Sequence, residues 1–347
     1  LLRFSQALVG RFKGGLGHVN VVSSLIFSGM SGSAVADAVG MGKIIITMMT
    51  KDGKYTGSYA AAITAASATI GPIIPPSIPM VLYALVSDQS VGYLFAAGML
   101  PGLLMGVVLI VMNMIIAHRR DFATDEAIPL RELPATTFRA IPALLLPVIL
   151  LGGIYGGVMT PTEAAAVAAF YALSISVLLY RSVTFKGFYQ ALLGSARSTA
   201  TVGILIAGAL TFDYVVTREN VPQMMADFLS QYDLSRAGFL LAINVMFLVL
   251  GCILESGAIL LIIVPIFLPT AQALGIDLVH FGVVAVVNAM LGLITPLFIV
   301  ASITKQPLIR IVQDLLPFLA ALLVALGVIT FVPDFVLFLP RLLGYKG

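Results

Sequence analysis

The chain has 347 residues, 60% of them hydrophobic and 10% charged, with a formal net charge of +3 and a mean hydropathy of +1.07. Soluble domains carry roughly 25% charged residues. Here the apolar excess falls in successive stretches near the ~20 residues that a bilayer span requires, which defines an all-α polytopic membrane protein. Runs such as Ala140 to Leu151 do not alternate in polarity, so a membrane β-barrel is excluded. The single cysteine, Cys252, excludes a disulfide framework and a cysteine-based metal cluster, and His18, His118 and His280 stand in no ligand spacing. The basic balance reads as Lys and Arg in cytoplasmic loops, not as nucleic-acid binding.

In chain order, residues 1–15 (LLRFSQALVGRFKGG) form an amphipathic basic stretch, not a signal peptide. A chain opening on Leu1 is expected to lack its natural N-terminus. Residues 12–53 are apolar at both ends and interrupted by Ser28, Gly29, Ser31, Gly32, Ser33, Asp37 and Gly40. This pattern predicts a re-entrant hairpin with a polar tip, tolerable in a bilayer only where protein or a water-filled cavity satisfies the backbone. Crossings follow at about 56–86, 91–117, 140–158, 163–181 and 195–216. Residues 236–271, broken at Glu255, Ser256 and Gly257, predict a second hairpin, before crossings at about 280–304 and 314–339.

A single offset of 224 aligns Asn20 with Asn244, Ser31 to Ala34 with Glu255 to Ala258, and Gly71-Pro72 with Thr295-Pro296. The spacing from tip alanine to helix-breaking proline is 38 residues in both halves, which predicts an internal repeat. If both broken regions are hairpins, thirteen Lys and Arg between Arg3 and Arg310 gather on one side against Arg218, Arg236, Arg341 and Lys346 on the other. Single crossings instead give a division of 10 to 7. The positive-inside rule favours hairpins opening to opposite faces, and five crossings between them make the repeats inverted. The predicted domains are a first inverted repeat at 1–118, connecting scaffold helices at 119–235 and a second repeat at 236–347. Inverted repeats with broken helices build secondary transporters, with substrate held near the midplane.

At the first tip, hydroxyls and free carbonyls suit a hard cation and N–H groups suit a carboxylate; a tight helix contact of small residues is the other reading. Asp37 is either a cation ligand or proton carrier, or a first-turn acid on its half-helix. Gly71-Pro-Ile-Ile-Pro-Pro-Ser77, followed by Pro79, should be unwound, because each proline removes an N–H and frees a carbonyl. Sodium coordination by those carbonyls is the preferred reading, against a kink satisfied by neighbours. Glu255 either faces the substrate cavity or pairs with a basic residue. Thr160-Pro-Thr-Glu163 has the form of a capped helix start, and Gly152 to Gly157 allows close helix contact. No nucleophile elbow, Walker loop or cluster of His, Asp and Glu marks an enzyme.

Val9 to Leu16, Ser31 to Asp37, Gly71 to Ser77, Leu94 to Gly102, Thr160 to Ala164 and Gly275 to Gly282 together resemble the large membrane subunit of TRAP transporters, the tripartite ATP-independent periplasmic transporters. The resemblance implies a sodium-driven, elevator-type importer of organic anions such as C4-dicarboxylates, sialic acid or other carboxylates in a bacterial inner membrane. It further implies a small membrane subunit and a periplasmic substrate-binding protein as partners. One sodium site would use Ser31 and Ser33 with carbonyls of Gly71, Ile74 and Pro76; a second would use Glu255, Ser256 and Gly257 with Thr295 and Pro296. Substrate would contact Ser31, Gly32, Ser33, Ser77 and Ser256. Members of the family carry scaffold helices upstream and a second break reading Thr-Pro-Pro-Val-Gly-Leu, whereas Thr295-Pro296 here passes directly to Leu297-Phe298-Ile299. The expectation is therefore a permease with a shortened second break. A symporter working without a binding protein and a non-transporting assembly subunit are the alternatives.

Overall fold

The computed structural model describes the chain except residues 123, 125–128, 231–234 and 293–294; the side chains of 52, 130, 226, 228–230 and 295–298 also lie outside the description. Among the described residues the structure is helical, with one isolated bridge between Lys13 and Thr124. Six helical segments among the described residues are long and apolar enough to cross a membrane: Val91–Arg119, Leu133–Tyr155, Pro161–Leu179, Phe185–Arg218, Ser256–Ala273 and Leu308–Phe331.

After α1 (Leu2–Val9), the first broken region is a helical hairpin of α2 (Gly15–Ser31), α3 (Ala34–Asp37), a π turn (Ala38–Gly42) and α4 (Lys43–Thr50). Gly32 ends α2 in the left-handed conformation at φ +59°, its N–H bonded to the Ser28 carbonyl at 3.3 Å, the usual glycine stop. Ser33 then caps α3 by accepting the Ala36 N–H at 3.3 Å.

The segment predicted as one crossing at 56–86 is two helices, α5 (Gly57–Ala68) and α6 (Ile78–Ser87), with irregular chain between them. Prolines 72, 75 and 76 supply no N–H to continue α5, and Ser77 restarts the chain by accepting the Met80 N–H at 3.2 Å. Helix α7 (Val91–Arg119) continues through Pro101. Then come α8 (Leu133–Tyr155), α9 (Pro161–Ser174, extended by a π turn to Leu179) and α10 (Phe185–Arg218). Thr160 and Glu163 cap α9 reciprocally, at 2.8 Å for Thr160 N to Glu163 Oε2 and 3.3 Å for Glu163 N to Thr160 Oγ1, as the motif predicts. Helix α10 starts ten residues before the predicted crossing, because Thr184 caps it through the Gly187 N–H at 3.1 Å.

Beyond α11 (Val221–Ser230), the second broken region is a hairpin of α12 (Arg236–Gly251), α13 (Ser256–Ala258), a π turn (Ile259–Ile263) and α14 (Val264–Ala273). Within the predicted crossing at 280–304 the described residues form α15 (Leu278–Gly292) and α16 (Thr295–Thr304). The predicted crossing at 314–339 is α17 (Leu308–Phe331) followed by a separate α18 (Pro333–Leu342). Pro333 drives Val332 out of the helical region, to φ −121° and ψ 74°.

The core lies around α5 and α15. Ser58 to Ala68 is buried throughout, as is nearly all of α15, whereas α8, α9 and α10 leave most of their surface open. Each hairpin is tied by buried side chains to a buried helix outside it. Asn20 Nδ2 donates to Thr64 Oγ1 at 2.6 Å, joining α2 to α5; Asn288 Nδ2 donates to Asn244 Oδ1, joining α15 to α12. Thr64 and Asn288 are themselves 224 positions apart. The packing crosses over between halves: α3 and its π turn lie against α5 and α16, while α13 and its π turn lie against α15 and α6. Tyr83 of α6, fully buried, donates to the Leu278 carbonyl at 2.6 Å, and a Cβ on Gly282 would fall 2.3 Å from its ring. At an exposed end, the Lys13 ammonium hydrogen-bonds the Asp121 carboxylate and lowers its pKa.

Candidate binding site at the hairpin tips

The first tip and the first break meet. A Cβ on Gly32 would lie 2.3 Å from the Pro76 carbonyl oxygen, and one on Gly71 would lie 3.3 Å from the Ser33 carbonyl. Two segments about forty residues apart in sequence are thus in backbone contact, with only hydrogens between them. No described backbone or side-chain donor reaches the carbonyls of Gly71, Ile74 or Pro76. Ser31 Oγ is buried without a hydrogen-bond partner. Ser31 and Pro76 border the same cavity, and hydroxyl and carbonyl oxygens without donors are the ligand type that a hard cation takes.

The remaining predicted residues of this half are partly committed to structure. The Ser33 hydroxyl accepts the Ala36 N–H. The Ser77 hydroxyl donates to the Pro72 carbonyl while accepting from Met80, which leaves it one lone pair. The side chain of Ile74 packs under Gly102, where a Cβ would come within 2.3 Å of Ile74 Cγ1.

Ser31 and Ser77 line a cavity of about 590 Å³ between the first tip, α6, α8, α9 and α10. Its walls are mostly apolar, with Thr162 and Ala165 of α9 and Val202 and Ile206 of α10. The first turn of α6 borders it through Ser77, Ile78, Val81 and Leu82. The contribution of α9 was not anticipated from the sequence, where Thr160 to Glu163 carries only a capping signal. Its alanines at 165, 168, 169 and 172 stack on one face at helical spacing, the signal that identifies the wall in retrospect.

The second tip is arranged differently. Glu255 is exposed and caps α13 through its backbone, its carbonyl accepting from Ala258 and Ile259 at 3.0 and 3.2 Å. It forms no ion pair with a basic residue among the described residues. Ser256 and Gly257 are buried, and a Cβ on Gly257 would lie 2.8 Å from Leu205 Cδ2 and 3.5 Å from Leu82 Cδ1. This tip therefore rests against α6 and α10, and α6 lies between the two tips. Thr295 and Pro296 are the first described residues of α16; the side-chain roles expected of them fall outside the described residues.

Two helical hairpins with polar tips, a proline-broken helix with free oxygens and several apolar spans around them define a membrane permease. The family described as "Tripartite ATP-independent periplasmic transporter, DctM component" matches residues 1–335. The chain belongs to this family: it is a TRAP large permease, a transporter subunit, not an enzyme, and an integral inner-membrane protein. It is 43% identical over 351 residues to the sialic acid TRAP transporter large permease protein SiaM of Vibrio cholerae, covering 99% of this chain and 82% of that protein. It is 41% identical over 349 residues to the C4-dicarboxylate TRAP transporter large permease protein DctM of Pseudomonas aeruginosa, with the same two coverages. It is also 35% identical over 335 residues to the 2,3-diketo-L-gulonate TRAP transporter large permease protein YiaN of Escherichia coli, covering 95% and 79%.

Proposed function

We propose that this permease couples the import of an organic anion, a C4-dicarboxylate, sialic acid or a similar carboxylate, to the entry of sodium. The observation that carries this reading is the meeting of the first tip with the first break, where Ser31 Oγ and the carbonyls of Gly71, Ile74 and Pro76 lack donors. Sodium held there would fix the N-terminal end of α6 towards the cavity, so that the anion meets a preformed helix terminus. Each ligand then raises the affinity of the other by the same factor. Sodium is the only cofactor in this reading. The second ion site, at Glu255 to Gly257 with Thr295 and Pro296, is supported by the matched hairpin and by the correspondence of Asn20 with Asn244 and Thr64 with Asn288. These correspondences also support inverted repeats at 1–118 and 236–347 moving as an elevator against the helices of 119–235.

The names of the relatives support the substrate classes, and the tripartite family supports a small membrane subunit and a periplasmic binding protein as partners. The test is uptake of labelled succinate or sialic acid into proteoliposomes holding the permease with these partners. Uptake is expected to follow an imposed sodium gradient and to ignore a potassium gradient. Ser31→Ala is expected to raise the sodium concentration for half-maximal uptake about ten-fold, the equivalent of one lost ligand contact of ~1.4 kcal/mol, with little change in folded yield. Parallel losses of yield and uptake would assign Ser31 to packing alone.

A further inference from the structure

Asp37 ends α3 at the point where the second arm of the first hairpin opens into its π turn. It is 1% exposed, and neither carboxylate oxygen has a hydrogen-bond partner among the described residues. The Ser24 hydroxyl, on α2 opposite, faces the carboxyl. Ser24 belongs to a chain of buried hydroxyls and amides. Ser67 Oγ lies 3.1 Å from both Asn20 Oδ1 and the Thr64 carbonyl; with its single proton on either of them it accepts from the Ser24 hydroxyl at 3.1 Å. Beyond it, Asn20 Nδ2 donates to Thr64 Oγ1 and Thr64 Oγ1 to the Ala60 carbonyl at 2.7 Å. In that arrangement the Ser24 proton goes to Ser67 and an Oγ lone pair is left for a ligand at Asp37.

The elements packed against α3 and its π turn are α2, α4, α5 and α16. Their titratable residues are His18, edge-on to Phe12; Lys43, exposed; and Tyr59, whose hydroxyl donates to Asn113. The sequence of α16 has none. The described ion pairs join Lys13 to Asp121, Arg120 to Asp314 and Arg341 to Asp334, none involving Asp37. A bare carboxylate buried in a membrane-embedded hairpin is costly. One proton would engage a single oxygen and leave the other without a donor; a cation engages both, together with Ser24 Oγ. The corresponding position of the second hairpin is Leu261, 224 residues on, so the feature belongs to the first hairpin alone.

We propose that Asp37 and Ser24 bind a sodium ion within the first hairpin, apart from the tip-and-break oxygens of Ser31, Gly71, Ile74 and Pro76. The proposal rests on the sodium-coupled reading above, and the experiment separates the two. Equilibrium binding of radioactive sodium is measured on the full permease with its partner subunits, for the parent and for Asp37→Asn, Ser24→Ala and Ser31→Ala. Asp37→Asn is expected to bind one sodium fewer than the parent. Ser24→Ala, which keeps the carboxylate should Asp37→Asn not fold, is expected to keep the stoichiometry and raise the half-saturating sodium concentration of one site about ten-fold. A parent that binds no sodium overturns both readings. A parent that binds sodium, with unchanged stoichiometry in Asp37→Asn or an unchanged midpoint in Ser24→Ala, overturns the Asp37 site and leaves sodium coupling standing; the carboxyl then carries a proton.

Discussion

Gly32→Ala is expected to destabilise the permease by about 2–5 kcal/mol and to abolish its response to sodium. Gly32 sits at φ +59°, where an L side chain costs roughly 1–2 kcal/mol. The new methyl would lie 2.3 Å from the Pro76 carbonyl oxygen, and overpacking of this kind costs roughly 1–3 kcal/mol more. The obstructing atom is backbone in a segment constrained by prolines, so no side chain can swing aside. The tip must back away from the break, which disperses the oxygens of Ser31, Gly71, Ile74 and Pro76. Gly53 provides the control: it sits at φ +66° with nothing within 4 Å of its missing Cβ, so Gly53→Ala incurs the backbone cost alone. Denaturation midpoints of the two variants in detergent, with and without sodium, check this. Equal losses in both would mean that the contact between tip and break contributes nothing.

Asn288→Leu and Asn244→Leu are each expected to cost about 1–3 kcal/mol, because either change strands a buried polar partner. Asn288 Nδ2 serves Asn244 Oδ1, and Asn244 Nδ2 in turn serves Thr330 Oγ1 at 2.9 Å. Asn288 is fully buried and Asn244 nearly so. With both replaced there is no stranded amide at this contact, so the double variant should cost less than the sum of the singles by roughly 0.5–3 kcal/mol. Strict additivity in unfolding free energies would show that the amide pair does not hold α12 to α15.

The breaks in this fold are written in residue types that act locally. Gly32 can stop a helix, Ser33 and Ser77 can start one, and the prolines of 72–76 remove N–H donors wherever they are placed, so both the first tip and the first break were legible. Helix ends set by one capping hydroxyl, such as Thr184, were less so, because apolar periodicity alone begins ten residues later. Burial was not legible at all: α5 and α10 both read as apolar spans, yet one is enclosed and the other is open. A span's surroundings depend on what packs against it, and hydropathy does not encode that. The correspondence of Asn20 with Asn244 was visible, but its partners Thr64 and Asn288 differ in type and only the fold brings each to its mate. Likewise, the polar tip and the proline break were readable separately. Their contact depends on Gly32 and Gly71 having no side chain where segments some forty residues apart meet, and the alanine wall of α9 required the same tertiary knowledge.

The most direct test of the central claim, that oxygens gathered at the first tip and first break bind sodium, needs no transported substrate. It is the thermal unfolding midpoint of the purified chain in detergent, titrated with sodium against potassium at constant ionic strength. A ligand that binds only the folded state stabilises it by about 2.7 kcal/mol at a hundred times its dissociation constant. The predicted result is a saturable rise with sodium that potassium does not reproduce and that Ser31→Ala shifts to higher concentration. Equal midpoints in the two salts across the titration would contradict the account.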